Sequence, residues 1–506
     1  MKFLKRLILL SLLTVCLLPL YAHAEEIQAE NISGSALVQT SSGFNGTGYL
    51  FDGKIYYGKT TPDAASVTLA HENGIGSLYI IFDETDTRFT VTDETKGIVC
   101  TVEAEPYYHR FVDLTELFGE TPTNVTLSFD DPVAINEIYA FTEGEVPSWV
   151  QRWQAPAEGE ADLVLFSAHG DDEQLFFCGI LPYYSQEMGY KVQVVYLTDH
   201  RENDPYRIHE MLDGLWNVGV RYYPVYHAYP DFIRLHEKNG TYDGFYARGY
   251  TKEELIGYVV ENLRRFKPSV AVGHDINGEY GHGMHMMYCD MLMEAVAISN
   301  DPESYPESAG KYGLWDTPKT YLHLYEENPI VMDWDVPLES FGGMTAYQVS
   351  KEIGFPSHAS QLLDFAWYYS NYKTAAELPK YNPCYYGLYR STVGEDVQKN
   401  DFFENVICHT EEAKLEAIRL QEEEEARQKA EEEARIRAEE ERIKAEAEAK
   451  ERAKQEAERE LQEQLAREAE LAHRKKVQMW FLAGGAAAAV AAILLAILST
   501  TYHRKK

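Results

Sequence analysis

Two short clusters hold the residues whose types and spacing are suited to chemistry. The first, residues 168–173, reads Ala-His-Gly-Asp-Asp-Glu and places one imidazole and three carboxylates within five residues. The second, residues 277–285, contains His282 and His285 three positions apart, so that both can face one point if a helix begins there. Two histidines and an aspartate around a divalent cation, with water in the remaining position, form a hydrolytic zinc centre. Either cluster alone is also compatible with capping residues and surface histidines.

Both clusters follow apolar runs that predict buried β-strands. The runs cover residues 162–168, 191–198 and 268–273, and amphipathic segments at 206–218 and 252–266 predict helices between them. Buried strands that alternate with helices predict an α/β, Rossmann-like layered fold with a mainly parallel sheet. In such folds chemistry gathers at the carboxyl ends of the strands, which is where both clusters lie.

The clusters resemble the signatures of a known family. Residues 168–173 are similar to the A-H-P-D-D-E motif, and residues 279–285 to the G-Y-G-H-P-D-H motif, of the PIG-L/LmbE-like N-acetylglucosaminyl deacetylases. The likeness extends over residues 160–395. Four further elements occur in the family's order, namely Leu197-Thr-Asp, Arg207-x-x-Glu210, Tyr229-Pro-Asp231 and Ser357-His358-Ala-Ser-Gln361.

The resemblance implies a metal-dependent N-deacetylase with Zn²⁺ as its cofactor, and it implies a role for each matching residue. The implied zinc ligands are His169, Asp172 and His285. The implied catalytic residues are Asp171 as general base, Tyr280 as donor to the oxyanion and His282 near the leaving amine. The implied substrate-binding residues are Arg207 and Asp231. We expect Glu173 to hold the cluster in position without binding the metal itself.

Two departures from the family pattern matter for the chemistry. Gly170 stands where the family has proline, which removes rigidity but leaves the ligands in place. Met284 stands where the family has an aspartate that is expected to support the catalytic histidine, so its loss can detune His282 without loss of zinc. Metal binding is therefore a firmer expectation than full activity.

Residues 25–150 predict a separate antiparallel β-sandwich, since short stretches rich in Thr, Val, Ile, Tyr and Phe alternate with Gly, Asn, Asp and Pro. Residues 135–144 resemble the last strand of a discoidin or galactose-binding-like jelly roll. Exposed tyrosines are candidates to stack on sugar, although tyrosine is also common in strands. They are Tyr56, Tyr57, Tyr107 and Tyr108.

The two ends of the chain predict export and anchoring. Residues 1–24 have a basic start, an apolar stretch and a small-residue cleavage site, as in a signal peptide. After an α/β domain at 151–409, residues 410–478 are almost entirely Glu, Ala, Arg, Lys and Gln and predict a solvated helical stalk, with at most weak self-association through a coiled coil. Residues 479–502 predict one transmembrane helix, with 503–506 as a cytoplasmic stub.

The whole sequence indicates a surface-anchored enzyme. Its net charge of −35 argues against nucleic acid as a partner, because a polyanion would meet a repulsive field. We therefore expect a zinc-dependent deacetylase of N-acetylglucosamine-type glycans, with its catalytic domain outside the membrane of a bacterial cell. Two alternatives remain open: a non-catalytic, zinc-containing glycan-binding or adhesion protein, and a zinc amidase that acts on a nonsugar acyl amide.

Overall fold

A computed structural model describes residues 27–479, apart from 42–43, 45–47, 57, 62–63, 85–86 and 366–371. The predicted signal peptide, the cytoplasmic stub, Tyr57 and all of the predicted membrane segment except Met479 lie outside the described residues. Within the described part of the chain, no helix has both the length and the apolar character needed to cross a membrane.

The N-terminal residues form two antiparallel sheets around a shared apolar core. Side chains of β3 alternate between buried and half-buried positions, as expected for a strand with one face on a core. The five-stranded sheet has the order β1-β3-β8-β5-β6 and the four-stranded sheet the order β2-β9-β4-β7. The strands are β1 Leu37–Thr40, β2 Lys59–Thr60, β3 Ala65–Ala70, β4 Ser77–Phe82, β5 Phe89–Asp93, β6 Ile98–Val102, β7 His109–Asp113, β8 Asn124–Phe129 and β9 Ala134–Phe141, with helix α1 at Leu114–Phe118.

A seven-stranded sheet follows, in the order β12-β11-β10-β13-β14-β16-β15. Its first five strands are parallel, β16 runs antiparallel to β14, and β15 runs antiparallel to β16. The mixed α/β architecture predicted from the sequence is confirmed. The strands are β10 Leu163–Ser167, β11 Val192–Tyr196, β12 Val225–Tyr226, β13 Val270–Gly273, β14 Lys319–His323, β15 Pro329–Val331 and β16 Tyr385–Ser391.

Helices cover both faces of this sheet. Alternate residues of β10 therefore enter different cores: Leu163 and Leu165 pack on one side, and Val164 and Phe166 on the other. The α-helices are α2 Asp172–Leu175, α3 Arg207–Asn217, α4 Lys238–Ala247, α5 Lys252–Phe266, α6 Gly283–Ile298, α7 Pro306–Tyr312 and α8 Ala346–Val349, with π-helical turns at Leu181–Glu187 and Ser350–Gly354.

The N-terminal sheets and the seven-stranded sheet belong to one unit that extends to Lys414. Tyr107 and Tyr108, expected to be exposed, are 7% and 1% exposed. The ring of Tyr107 lies 4.2 Å from that of Tyr223, and the Tyr108 backbone N–H donates to the Tyr223 hydroxyl at 3.0 Å. The prediction that these two tyrosines are free to stack on sugar is wrong, because the α/β domain covers them.

The last helix, α9, runs from His409 to Met479, and a second unit begins within it at Leu415. Ion pairs at i,i+3 and i,i+4 spacing line its surface, including Glu433 with Arg437 at 3.3 Å and Glu448 with Arg452 at 3.8 Å. Its described side chains beyond Leu415 are almost all exposed. Charge pairing along the helix, rather than burial, is therefore the local source of its stability.

Candidate metal centre

Three buried side chains bring one ligand atom each to a common point. His169 Nδ1 lies 2.9 Å from Asp172 Oδ2 and 3.1 Å from His285 Nε2, and His285 Nε2 lies 3.2 Å from Asp172 Oδ2. Ligands at about 2.0–2.1 Å from a tetrahedral zinc are separated by about 3.3 Å. The donor set and the triangle that it forms fit a zinc ion, and they are the three residues that the sequence analysis assigned as ligands.

The topology of the sheet explains why these residues meet. His169 and Asp172 follow β10, whereas His285 lies in the first turn of α6, after β13. In the sheet, β11 and β13 lie on opposite sides of β10. The chain passes from β10 to β11 on one side and later returns to form β13 on the other side. Crevices at such a switch point, beyond the carboxyl ends of the strands, are the usual ligand sites of open α/β sheets.

Gly170, one of the two departures, has a steric explanation. A Cβ at this position would lie 2.9 Å from Cβ and 3.1 Å from Sδ of Met211 on α3. The helix therefore packs where a proline ring would stand. The backbone N–H of Gly170 donates to His200 Nε2 at 3.1 Å, which fixes the turn between the two metal ligands without proline.

Glu279 connects three histidines behind the proposed ligands. Its Oε2 accepts from His285 Nδ1 at 2.7 Å and lies 2.8 Å from His274 Nδ1, and its Oε1 lies 2.6 Å from His323 Nδ1. The bond to His285 Nδ1 leaves Nε2 free to bind a metal and orients the ring. All four side chains are fully buried.

The sequence analysis assigned no role to Glu279, His274 or His323. His274 and His323 are the first residue after β13 and the last residue of β14, so a search for polar residues at the ends of buried strands would have found them. The ligand atoms of Asp172, His274 and His285 lie within 4.8 Å of one another. His274 Nε2, however, accepts from the Ala168 backbone N–H at 2.8 Å, so we treat His274 as a support for the loop rather than a ligand.

Asp171 lies beside the metal triangle and is held by a cation. Arg207 Nη2 contacts Asp171 Oδ2 at 3.1 Å and the Gly170 carbonyl at 3.3 Å. Burial raises the pKa of Asp171, with the charge of Arg207 opposing that rise and the neighbouring Asp172 adding to it. A buried carboxylate outside the ligand set, with a raised pKa, is suited to accept a proton.

Arg207 and Asp231, predicted to bind substrate, lie against the same group of side chains. Asp231 places Oδ1 3.4 Å from His169 Nε2 and Oδ2 3.3 Å from His200 Nδ1. The described contacts of Arg207 are with Asp171, Gly170 and His200, and its side chain is 6% exposed. Binding of a sugar by either residue stays a prediction.

His282 and Tyr280 face the triangle from α6 and the turn before it. The His282 ring lies 4.9 Å from the His169 ring and 4.8 Å from the His285 ring, and it stacks on Tyr280 at 5.4 Å. Burial lowers the pKa of His282 to about 2, with the nearby His285 and His169 adding to the effect. Among the described residues neither nitrogen of His282 has a hydrogen-bond partner, and Met284 packs in the apolar core.

The expected supporting residue Glu173 lies on the other side of the cluster. Its Oε1 contacts His358 Nε2 at 3.1 Å, with both side chains fully buried. Glu210 accepts from the Ser360 backbone N–H at 2.9 Å and from its hydroxyl at 2.6 Å. The late His358-Ala-Ser360 element is therefore tied to α2 and α3, the helices that carry Asp172 and Arg207.

The fold and the site define a class of protein: a Rossmann-like α/β domain with a candidate His/His/Asp metal site and an adjacent buried carboxylate. Comparison with known proteins agrees with this class. The PIG-L family model, described as GlcNAc-PI de-N-acetylase, matches residues 164–296.

Among curated relatives, a 1D-myo-inositol 2-acetamido-2-deoxy-alpha-D-glucopyranoside deacetylase of Streptomyces avermitilis is 24% identical over 293 residues, which cover 48% of this chain and 97% of the relative. The enzyme of the same name from Mycobacterium leprae is 28% identical over 185 residues, covering 32% of this chain and 59% of the relative. A solved N,N'-diacetylchitobiose deacetylase of Pyrococcus horikoshii matches at 16% identity and a TM-score of 0.30, over 44% of this chain and 83% of that one.

Residues 164–296 thus carry a match to the PIG-L model, and the curated relatives that align with this part of the chain are named as deacetylases. The family resemblance inferred from the two motifs is thus confirmed, and with it the enzyme class, a metal-dependent N-deacetylase.

Proposed function

We propose that this protein is a zinc-dependent hydrolase that removes the N-acetyl group from N-acetylglucosamine-type sugars or glycans. The observation that carries the proposal is the triangle of His169, Asp172 and His285, with ligand atoms 2.9–3.2 Å apart and Asp171 beside it. The curated relatives named as deacetylases of an acetamido sugar support the choice of substrate class.

The proposed metal ligands and the proposed base have separate roles in the activation of water. His169, Asp172 and His285 would hold the ion, which when bound lowers the pKa of a coordinated water towards about 7. Asp171 would accept a proton from the attacking water, and its ion pair with Arg207 keeps the carboxylate in place. Glu279 keeps His285 in the tautomer that presents Nε2 to the metal.

Tyr280 and His282 act on the substrate amide. The Tyr280 hydroxyl donates to the acetamide oxygen as negative charge develops on it. His282 lies beside the same point with both ring nitrogens unpaired among the described residues, so it is free to contact the leaving amine. The low pKa of His282 means that it binds as a neutral imidazole.

One observation favours a second candidate, a zinc-containing glycan-binding protein without turnover. The aspartate of the family motif is replaced by Met284, which is fully buried in the apolar core, and neither ring nitrogen of His282 has a hydrogen-bond partner among the described residues. A histidine without a supporting carboxylate is less readily protonated, so less of it is in the form that can donate a proton to a leaving group. The two candidates make opposite predictions for amine release and the same prediction for bound zinc.

We further propose that the enzyme acts at a cell surface. The support is the sequence pattern of residues 1–24, typical of a signal peptide, and of residues 479–502, typical of a membrane span. The charged helix α9 would then serve as a spacer between the enzyme and the membrane.

The decisive experiment measures bound metal and amine release together on the purified protein and on a His285→Ala variant. We expect close to one zinc per chain, release of amine from N-acetylglucosamine oligomers, and loss of both in the variant. Simple acyl amides serve as comparison substrates, and faster cleavage of those would favour the nonsugar amidase. Zinc without amine release from any acetylated sugar would favour the binding protein.

A further inference from the structure

A cavity of about 740 Å³ lies outside the metal centre and is open to solvent. Its walls include the rings of Tyr229, Tyr250, Tyr258 and Tyr305, and we call it the tyrosine groove. Three of these rings are in contact: Tyr229 lies 5.1 Å from Tyr250 and 5.8 Å from Tyr258, in edge-to-face contact with each. The mechanism proposed above uses none of these residues.

The tyrosine groove is close to the metal centre along the chain. Tyr229 is separated by one residue from Asp231, whose Oδ1 lies 3.4 Å from His169 Nε2. Two residues of extended chain span at most about 7 Å. The groove also uses the start of α5, and a helix that leads into a parallel strand begins at the carboxyl edge of the sheet. The end of the groove formed by Tyr229 and the start of α5 therefore lies at the same edge of the sheet as the metal centre.

Tyr305 forms one wall of the groove and is held rigidly, although its backbone conformation is energetically unfavourable. Tyr305 has φ 51°, a left-handed conformation that is unfavourable for an aromatic residue. The buried Arg264 donates to its carbonyl at 2.8 Å, and its own hydroxyl donates to the Glu253 carbonyl at 2.9 Å. The ring covers Gly257, where an added Cβ would lie 2.8 Å from a ring carbon.

The charge of the groove is strongly negative. The carboxylates among its lining residues are Glu253, Glu254, Glu261 and Glu307. The basic side chains are Lys311 and His227, and burial lowers the pKa of His227, which favours its neutral form. Lys311 Nζ is 3.9 Å from Glu261 and 4.6 Å from the Tyr312 ring centre, so its charge is already engaged. Aromatic faces beside uncompensated carboxylates attract an ammonium group, and the apolar face of a sugar ring packs on tyrosine.

We propose that the tyrosine groove binds glucosamine units that have already lost their acetyl groups. The ligand class is a protonated amino sugar within a glycan, held while the metal centre acts on a neighbouring unit. The inference rests on the proposed function, because deacetylation converts the neutral acetamide of the sugar into a protonated amine. The groove therefore binds the product of the reaction more tightly than its substrate.

The test is calorimetric titration of the purified full chain with a β-linked glucosamine trisaccharide and, separately, with its fully N-acetylated counterpart. We expect the glucosamine trisaccharide to bind at least tenfold more tightly, and its affinity to fall as salt is raised. Tyr250→Ala and the surface variant Glu253→Gln should each weaken that binding at least fivefold. Tyr246→Ala, which removes a tyrosine that is 42% exposed and not in the groove, is the matched control.

Equal affinity for the two trisaccharides, absence of binding, or unchanged binding in Tyr250→Ala and Glu253→Gln would each overturn the groove proposal. Equal zinc content in all variants shows that the metal centre is intact. If the protein binds the glucosamine trisaccharide through the groove but releases no amine from acetylated sugars, the deacetylase proposal fails while the groove assignment stands.

Discussion

At the scale of single residues, the site consists of a few side chains that would contact the metal or the water and of other buried side chains that hold them in position. His285 is oriented by Glu279, and Asp171 by Arg207, at distances of 2.7 and 3.1 Å. Both supporting bonds join a charged group to a buried partner, where the low dielectric strengthens them. Substitutions at these four positions should therefore separate metal affinity from turnover.

The first prediction concerns Glu279. In Glu279→Gln the neutral amide accepts less strongly from His285 Nδ1 and leaves His274 and His323 without a carboxylate partner. We expect zinc affinity to fall by about 10–100-fold, the usual cost of losing such a supporting group. Competition with a chromophoric chelator measures it. Glu303→Gln on an exposed loop is the control, and equal affinity in both variants would contradict the role of Glu279.

The second prediction concerns Asp171. Asp171→Ala should lower kcat by about 10²–10⁴-fold, the usual contribution of a general base, while the zinc content stays near one per chain. Elemental analysis and amine release on the same sample give both values. Asp243→Ala, an exposed carboxylate on α4, should change neither. Unchanged turnover in Asp171→Ala would remove this residue from the role of base.

At the scale of elements, α3 connects the metal centre to the N-terminal sheets. Its Arg207 holds Asp171, whereas its His209 lies 2.9 Å from His109 of β7 and 3.2 Å from Asn136 of β9. One turn further on, the Asp213 carboxylate accepts from Gln151 at 2.5 Å. The N-terminal sheets thus help to fix the helix that positions the base.

The third prediction tests this connection at His209. Removing the imidazole in His209→Ala leaves buried polar atoms of His109 and Asn136 without their partner, at a cost of about 1–3 kcal/mol in the free energy of unfolding. Urea denaturation measures it. His71→Ala, on a partly exposed turn of the same domain, should cost less than about 0.5 kcal/mol. Equal stability of the two variants would show that the histidine pair does not hold α3.

The fourth prediction concerns the pH dependence of stability at Asp213. Burial raises its pKa to about 7 in the folded protein, so folding favours the protonated carboxyl group. Its stabilising contribution is complete below the unfolded pKa of about 3.9 and is lost as the pH rises through 7. Asp213→Asn, which keeps an acceptor for Gln151, should therefore lose less stability than the natural protein between pH 5 and pH 8. Parallel pH profiles would contradict this assignment.

At the scale of the whole molecule, the described residues form two units with different sources of stability. The unit up to Lys414 is built on buried sheets, and the unit from Leu415 on exposed helix. Free cysteines occur at five positions of the described chain, so disulfides do not contribute to either unit there. Apolar burial stabilises the first unit and charge pairing along one helix the second.

The fifth prediction concerns α9 as an isolated peptide of residues 415–471. It should give a helical circular dichroism spectrum whose intensity falls as salt rises, because its i,i+3 and i,i+4 ion pairs are exposed and are screened. A peptide with the same composition in shuffled order is the control. A disordered spectrum in low salt would contradict the stalk interpretation.

Much of the fold was predictable because it follows from local patterns. The helix Lys252–Phe266 has the bounds that the sequence predicted, and β10, β11 and β13 lie within the predicted runs. Apolar runs and capping residues act over a few positions, as in the Thr251 and Glu254 capping box that starts α5. The proposed metal ligands rest on the same kind of local pattern, since each lies in a short motif that follows a strand, and the structure brings the three side chains together.

Only the tertiary structure decided which distant residues support the site and which surfaces are covered. His323 reaches Glu279 from another strand, Arg207 turns towards Asp171, and Tyr107 and Tyr108 are buried against the α/β domain. Sequence by itself determined the metal-ligand types, the strands that precede them and the family to which the motifs point. It did not determine these long-range partners, because they depend on how strand ends and domains pack in space, and a local pattern carries no information about that packing.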